Sequence, residues 1–183
     1  MATIRKFQTK DGQTAEIRVP RLSDLGQFVD FVNALSHEDT FVMVSGERIN
    51  RAHERKYLQS ILAQVKKATM VNLVLIVDGK LVGNASITRG DRRKAHVGTL
   101  SVSLLATHRN QGLGTVFLQT LIARARGVLK IRIIVLTVFA VNEAALHVYE
   151  KLGFRPVGVL PEAYQYRGGY EAEMIMYLPL APR

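Results

Sequence analysis

The sequence predicts an α/β protein built on one mixed β-sheet, and three observations carry that prediction. Apolar residues recur at helical spacing in four separate stretches. Alternating or continuous apolar runs of strand length lie between and after them. Tight-turn pairs such as Asp78-Gly79 punctuate the runs. With 183 residues, 48% of them hydrophobic and 22% charged, the chain has the size and composition of one ordinary domain with its own core. No internal repeat, low-complexity tract or Pro/Gly-rich linker divides it. Residues 1–183 are therefore expected to form a single domain whose core covers about 14–180.

The elements follow in order. TAEIRVPR (14–21) alternates polar and apolar residues as a half-buried strand does. After Ser23 or Asp24, either suited to an N-cap, the residues Leu25, Phe28, Val29, Val32 and Leu35 mark a helix. Residues 36–50 keep neither period and read as a loop. Asn50 can cap a second helix striped by Tyr57, Leu58, Ile61, Leu62 and Val65. Residues 70–90 are two apolar runs joined at Asp78-Gly79, a pair that suits a type I′ hairpin turn. In 95–106 a third strand sets Val97, Thr99, Ser101 and Ser103 against Gly98, Leu100, Val102 and Leu104. A helix then runs through Leu113, Phe117, Leu118, Leu121, Ile122 and Ala125, with Gly127 placed to end it. KIRIIVLTVFA (130–140) reads as a buried strand. Asn142 caps a short helix with Ala145, Leu146, Tyr149 and Leu152, closed by Gly153, and two strands flank Arg167-Gly168-Gly169.

Composition removes several function classes. The absence of cysteine excludes disulfides, cysteine-ligated metals and a cysteine nucleophile. The five histidines show no ligand-like spacing, so no metal is expected. The N-terminus lacks an apolar leader and no stretch is long enough to span a membrane, which makes a cytosolic protein, without a membrane partner, the default expectation. The net charge of +10 admits nucleic acid, an anionic surface or an acidic small molecule as partner. Its cations are scattered in short clusters such as DRRKAH (91–96), with few aromatics and no tryptophan nearby, which speaks against nucleic acid.

The stretch HRNQGLGTVF (108–117) puts two glycines and an arginine where a strand turns into a helix. First-turn amides have no intrahelical partners and sit at the positive end of the helix dipole, so such a junction suits an anion. It is not a Walker A loop, because Phe117 stands five residues after Gly112 and no lysine follows. Nor is it a dinucleotide fingerprint, which needs a small residue at 117 and an acidic one about twenty positions on.

RNQGLG (109–114) resembles the R/Q-x-x-G-x-G/A signature of the Gcn5-related N-acetyltransferases, the GNAT superfamily, and NEAALHVYEKLGF (142–154) is similar to that family's N-x-x-A-x-x-x-Y-x-x-x-G-F block. The element order from residue 14 to 180 agrees with the same family, although Ala106 stands where members often carry proline. The resemblance implies a mixed, mostly antiparallel sheet of six or seven strands flanked by about four helices, splayed between the fourth and fifth strands. It implies transfer of an acetyl group from acetyl-CoA to a primary amine of a small molecule or protein, by direct attack in a ternary complex. A silent acetyl-CoA sensor or an RNA- or ribosome-associated module on the same fold is the alternative.

Carried over position by position, the resemblance gives main-chain bonds from Val102, Ser103 and Leu104 to the pantetheine arm. It puts the pyrophosphate on the amides of Asn110, Gln111, Gly112, Leu113, Gly114 and Thr115, with Arg109 adding charge, and brings Asn142 near the pantetheine and sulfur. Tyr149 matches the tyrosine that protonates the leaving thiolate. The general base is open. Thr137 stands where ribosomal-type terminal acetyltransferases carry glutamate, which leaves His96, Glu38, Glu47 or a water chain. Residues 36–50 and the hairpin with Tyr164, Tyr166 and Tyr170 are expected to line the acceptor site, and a homodimer through the final strands is an option the family offers.

Overall fold

The computed structural model describes residues 3–38, 40–41 and 48–180. Its elements are β1 (Thr3–Gln8), β2 (Thr14–Arg18), α1 (Leu25–Glu38), α2 (Arg51–Lys66), β3 (Met70–Val77), β4 (Lys80–Arg89), β5 (Val97–Leu104), α3 (Leu113–Val128), β6 (Ile133–Phe139), α4 (Glu143–Lys151), β7 (Arg155–Tyr166) and β8 (Gly169–Pro179). Among the described residues the strands form one eight-stranded sheet in the order β1-β2-β3-β4-β5-β6-β8-β7. Every neighbouring pair is antiparallel except β5 and β6.

The sheet thus carries one strand more than the upper end of the expected six or seven. The addition, β1, exposes nearly all its side chains, so it shows no apolar pattern; its backbone pairs with β2 from Gln8↔Thr14 to Thr3↔Arg18. Three terminal signals also resolve differently. Asp24 does not serve the first amides of α1. Its carboxylate accepts from Arg21 N at 2.7 Å and takes both terminal nitrogens of Arg18, at 2.7 and 2.9 Å, in a buried ion pair. Gly127 lies inside α3, and the left-handed residue after the helix is Lys130 at φ 52°. Buried Ala125 and Leu129 hold the helix on course past the glycine. Finally, α1 continues to Glu38, so residues 36–38 are helical rather than loop.

Other local signals hold. Asp78 and Gly79 both take positive φ, 44° and 78°, as a type I′ turn requires, and Arg167 and Gly168 repeat the pattern at 49° and 81°. Asn50 accepts from His53 N at 2.9 Å and Asn142 from Ala145 N at 3.2 Å, capping α2 and α4. The predicted stripe of α3 is buried throughout, together with Tyr149 and Phe154, against one face of the sheet. On the other face α1 and α2 bury Phe28, Phe31, Leu35 and Leu58 against Val74, Ile76 and Leu81. In α2 the expected Tyr57 is half exposed, and Glu54 is buried one turn before Leu58.

The feature that positions the site is where the sheet opens. β5 and β6 pair only over Val97↔Ile133, Gly98↔Ile134 and Thr99↔Val135. At the join a Cβ on Gly98 would meet Ile131 Cδ1 and Ile87 Cγ2 at 2.7 Å each, so any side chain there would force these isoleucines to shift. Beyond Thr99, β5 stays with β4 as far as Gly83↔Leu104, and β6 stays with β8 as far as Phe139↔Glu173. With one expected strand preceded by β1, these are the fourth and fifth strands of the sequence reading.

Candidate active site

The gap between β5 and β6 leaves one edge of Leu100–Leu104 without a strand partner. Val102, Ser103 and Leu104 therefore face an opening on one side while β4 fixes them on the other. A short turn over Ala106–His108 leads from this edge into the glycine stretch and the start of α3. Within the described residues no hydrogen bond uses the amides of Asn110, Gln111, Gly112, Leu113, Gly114 or Thr115. Six consecutive unpaired donors thus lie at the positive end of a 16-residue helix, an arrangement whose chemistry suits an anion.

The two glycines have different causes. Gly112 sits at φ 77°, which side chains resist. Gly114 has no such strain, and a Cβ there would meet nothing within 4 Å. Neither packing nor backbone geometry demands glycine at 114, and the space in front of it is open. Asn110 turns the chain at φ 61°, and Gln111 anchors it by donating to Thr107 O at 3.1 Å.

Arg109 is engaged on the protein itself. Its Nε donates to Leu104 O at 2.9 Å and its Nη2 meets Glu38 Oε2 at 2.6 Å. Glu38 Oε1 accepts from Ala106 N at 2.8 Å, so this carboxylate ties the end of α1 to both sides of the turn. The Arg109 side chain remains one-third exposed. Its direct neighbours make it a brace for the β5–α3 turn.

On α4, Tyr149 is 6% exposed, its ring set edge-on to Phe154 at 5.7 Å. Its hydroxyl has no hydrogen-bond partner among the described residues, and burial pushes the phenol up to about 12. It therefore holds its proton at neutral pH and can donate it.

The sheet face covered by α1 and α2 continues across the gap. Alternation and register put Thr99, Ser101 and Ser103 of β5 on the face shared with Asn72 and Asn84, and Val135, Thr137 and Phe139 of β6 on the same side. There the Tyr164 ring stacks on Phe139 at 4.0 Å, with Phe41 and Tyr166 at 5.3 and 5.4 Å from Phe139. The Tyr164 hydroxyl donates to Glu173 and lies 3.5 Å from Thr137 Oγ1. Tyr170 stands apart, two-thirds exposed. Glu173 was not readable from sequence, because only the β6–β8 register brings it beside Thr137.

Of the other proposed bases, His96 sits before the first residue of β5, where its carbonyl accepts from Arg132 N at 2.7 Å. A strand rises about 3.3 Å per residue, so roughly 25 Å separates it from the glycine stretch. Glu47 lies outside the described residues. Among the described residues no group of acidic or histidine side chains could hold a metal ion, and no helix is long and apolar enough to cross a membrane.

Residues 33–154 match the model of the acetyltransferase (GNAT) family. The L-amino acid N-acetyltransferase AaaT of Escherichia coli is 32% identical over 98 residues, 53% of this chain and 60% of that protein, so the match spans less than two-thirds of the relative. An N-alpha-acetyltransferase of Sulfurisphaera tokodaii is 26% identical over 96% of this chain and 97% of its own length. The structure of YncA from Salmonella typhimurium, a putative acetyltransferase with its cofactor acetyl-CoA, superposes with a TM-score of 0.78 at 21% identity, covering 92% of this chain and 95% of that one.

Proposed function

Because the chain belongs to the acetyltransferase (GNAT) family, we propose that it is an acetyl-CoA-dependent N-acetyltransferase whose acceptor is the α-amino group of an amino acid or of a peptide N-terminus. The observation that carries this reading is the run of six unused amides behind Gly114, opening onto the gap between β5 and β6. The two relatives, one named for L-amino acids and one for N-alpha acetylation, share the α-amine as acceptor.

On this reading the amides of Asn110 to Thr115 bind the pyrophosphate, and Arg109 holds their turn while turning its exposed edge to the phosphates. The free edge of Val102–Leu104 binds the pantetheine arm, and Asn142 lies at its far end. Bound acetyl-CoA supplies an activated acyl group as a thioester. Tyr149 keeps its proton on Oη until negative charge develops on the departing sulfur and then donates it, a contribution made in the transition state. The acceptor enters from the face of α1 and α2, where Ser101, Ser103 and Thr137 supply polar contacts and Phe139 an apolar wall. The cytosolic setting expected from the sequence belongs to the same reading.

Free-thiol release should be followed with acetyl-CoA against free L-amino acids, short peptides, polyamines and aminoglycosides, with the acetylated product identified by mass. Turnover in the α-amine arms is expected. Saturable acetyl-CoA binding with silence across the whole panel would leave a sensor rather than an enzyme.

A further inference from the structure

An acceptor amine reaches any acetyltransferase mostly as its ammonium, since an α-amino group has a pKa near 8. It must dock that cation and shed a proton before it can attack. Glu38 cannot readily serve, because both its oxygens are used, one on Ala106 N and one on Arg109. His96 stands at the wrong end of β5.

We propose that Glu173, held by Tyr164 and flanked by Thr137, is the station that binds the acceptor's ammonium and takes its proton. The inference rests on the transferase reading above. Three strands build the station: Thr137 on β6, Tyr164 on β7 and Glu173 on β8. Phe139 pairs with Glu173 and Thr137 with Ile175, so Glu173 and Thr137 project from the same sheet face two rungs apart. Both lie past the Thr99↔Val135 rung, where β6 has become one wall of the gap. With strands about 4.8 Å apart, the Glu173 side chain springs from within one strand spacing of that wall.

Tyr164 occupies only one carboxylate oxygen, Oε1. Oε2 has no partner among the described residues, and Glu173 takes part in neither of their ion pairs. A primary ammonium carries three donors. Tyr164 Oη, bonded to Glu173 Oε1 and 3.5 Å from Thr137 Oγ1, brings three acceptor-bearing side chains together. Phe139 stacked on Tyr164, with Phe41 and Tyr166 beside it, lowers the local dielectric and strengthens a carboxylate–ammonium contact. The same wall suits an acceptor whose α-carbon carries a large apolar side chain. The ligand class is therefore an α-ammonium beside such a side chain, free or at a peptide terminus.

In the step, an N–H bond of the ammonium breaks and an O–H bond forms on Oε2. The nitrogen keeps the electron pair for attack, Tyr164 keeps its own proton, and Glu173 returns the acquired one to solvent after product leaves. The titratable groups around it are Tyr164 and Tyr166 on β7, Arg167 at the turn and Glu171 two residues earlier on β8. Burial and then the bond to Glu173 raise the Tyr164 phenol, so it remains a donor at neutral pH.

The test compares wild type, Glu173→Gln and Tyr164→Phe, using L-phenylalanine, a tripeptide beginning with phenylalanine, and glycine as acceptors across pH. Titration calorimetry gives acetyl-CoA affinity in parallel. Glu173→Gln is expected to lower kcat/KM for the phenylalanine acceptors about 100-fold, the usual scale of general base catalysis, and to flatten the low-pH limb of the profile. Acetyl-CoA affinity should be unchanged. Tyr164→Phe keeps the stacked ring and should raise acceptor KM more than it lowers kcat. The free and peptide arms distinguish the two acceptor sources, and glycine should be the poorer substrate. An active wild type with an equally active Glu173→Gln and an unaltered pH profile would overturn this proposal alone. A wild type that binds acetyl-CoA yet acetylates no amine would overturn the transferase reading and this proposal with it.

Discussion

Tyr149 uses the two ends of one side chain differently. Its ring fills the core beside Phe154, as a tyrosine on the inner face of a helix usually does, while its oxygen finds no partner among the described residues. That oxygen is not among the fully buried unpartnered atoms, so it keeps access to solvent while the ring is packed, which fits a donor kept for a departing sulfur. Tyr149→Phe retains the packing and removes only the donor. It should lower kcat by about 10- to 1000-fold and leave acetyl-CoA affinity and melting temperature nearly unchanged. Stopped-flow measurement of the acetyl-transfer step in the folded variant checks this, and a wild-type rate there removes Tyr149 from the mechanism. Asn142 also fills its local role, capping α4 through Ala145 N. Arg109 differs more: read from sequence as a phosphate contact, it spends Nε and Nη2 on Leu104 and Glu38, partners that no local pattern connects.

At the scale of elements, the patterns legible in the sequence were those enforced by burial. The stripe from Leu113 to Ala125 and the alternation of β5 both appear as read, because each side chain's surroundings follow from its own helix or strand period. β1 escaped because its side chains stay in solvent and only its backbone is engaged. Gly127 misled because a glycine is a good end signal only where the core permits an end, and Ala125 and Leu129 are packed on either side of it. The cap assigned to Ser23 or Asp24 failed for a similar reason: the Asp24 carboxylate is claimed by Arg18, six residues earlier. Glu54 went unnoticed as a buried residue because a charged side chain in a first helical turn normally faces water, and burial here raises its carboxyl above the usual range.

For the whole molecule, the fold gathers charge that looked scattered. Lys66 and Lys67 end α2, Arg92, Arg93 and Lys94 link β4 to β5, and Lys130 and Arg132 link α3 to β6; all are exposed. Bonds from Arg89 N to Thr69 O at 2.8 Å and from Arg132 N to His96 O at 2.7 Å draw these connections to one end of the sheet, away from the glycine stretch. With a net charge of +10, repulsion between surface charges is expected to outweigh attraction. Screening should then stabilise the fold. Raising salt from about 20 to about 300 mM should raise the melting temperature, since relief of ~1 kcal/mol is worth roughly 2–4 °C at this size; a fall would show that attractive pairs dominate. The proposed coenzyme half could be put forward from sequence because its motif is continuous. Of the proposed acceptor half the hairpin tyrosines were expected, but Glu173 was not, since Thr137, Tyr164 and Glu173 meet only through the pairing of three strands. The central claim, that the unused amides of Asn110 to Thr115 hold the pyrophosphate of acetyl-CoA, is tested most directly by titration calorimetry on Gly114→Val. A Cβ at 114 meets no protein atom within 4 Å, so the variant should fold and melt like wild type. If the space before Gly114 belongs to the coenzyme, acetyl-CoA binding is lost in the variant; a folded Gly114→Val that binds acetyl-CoA with wild-type affinity contradicts the account.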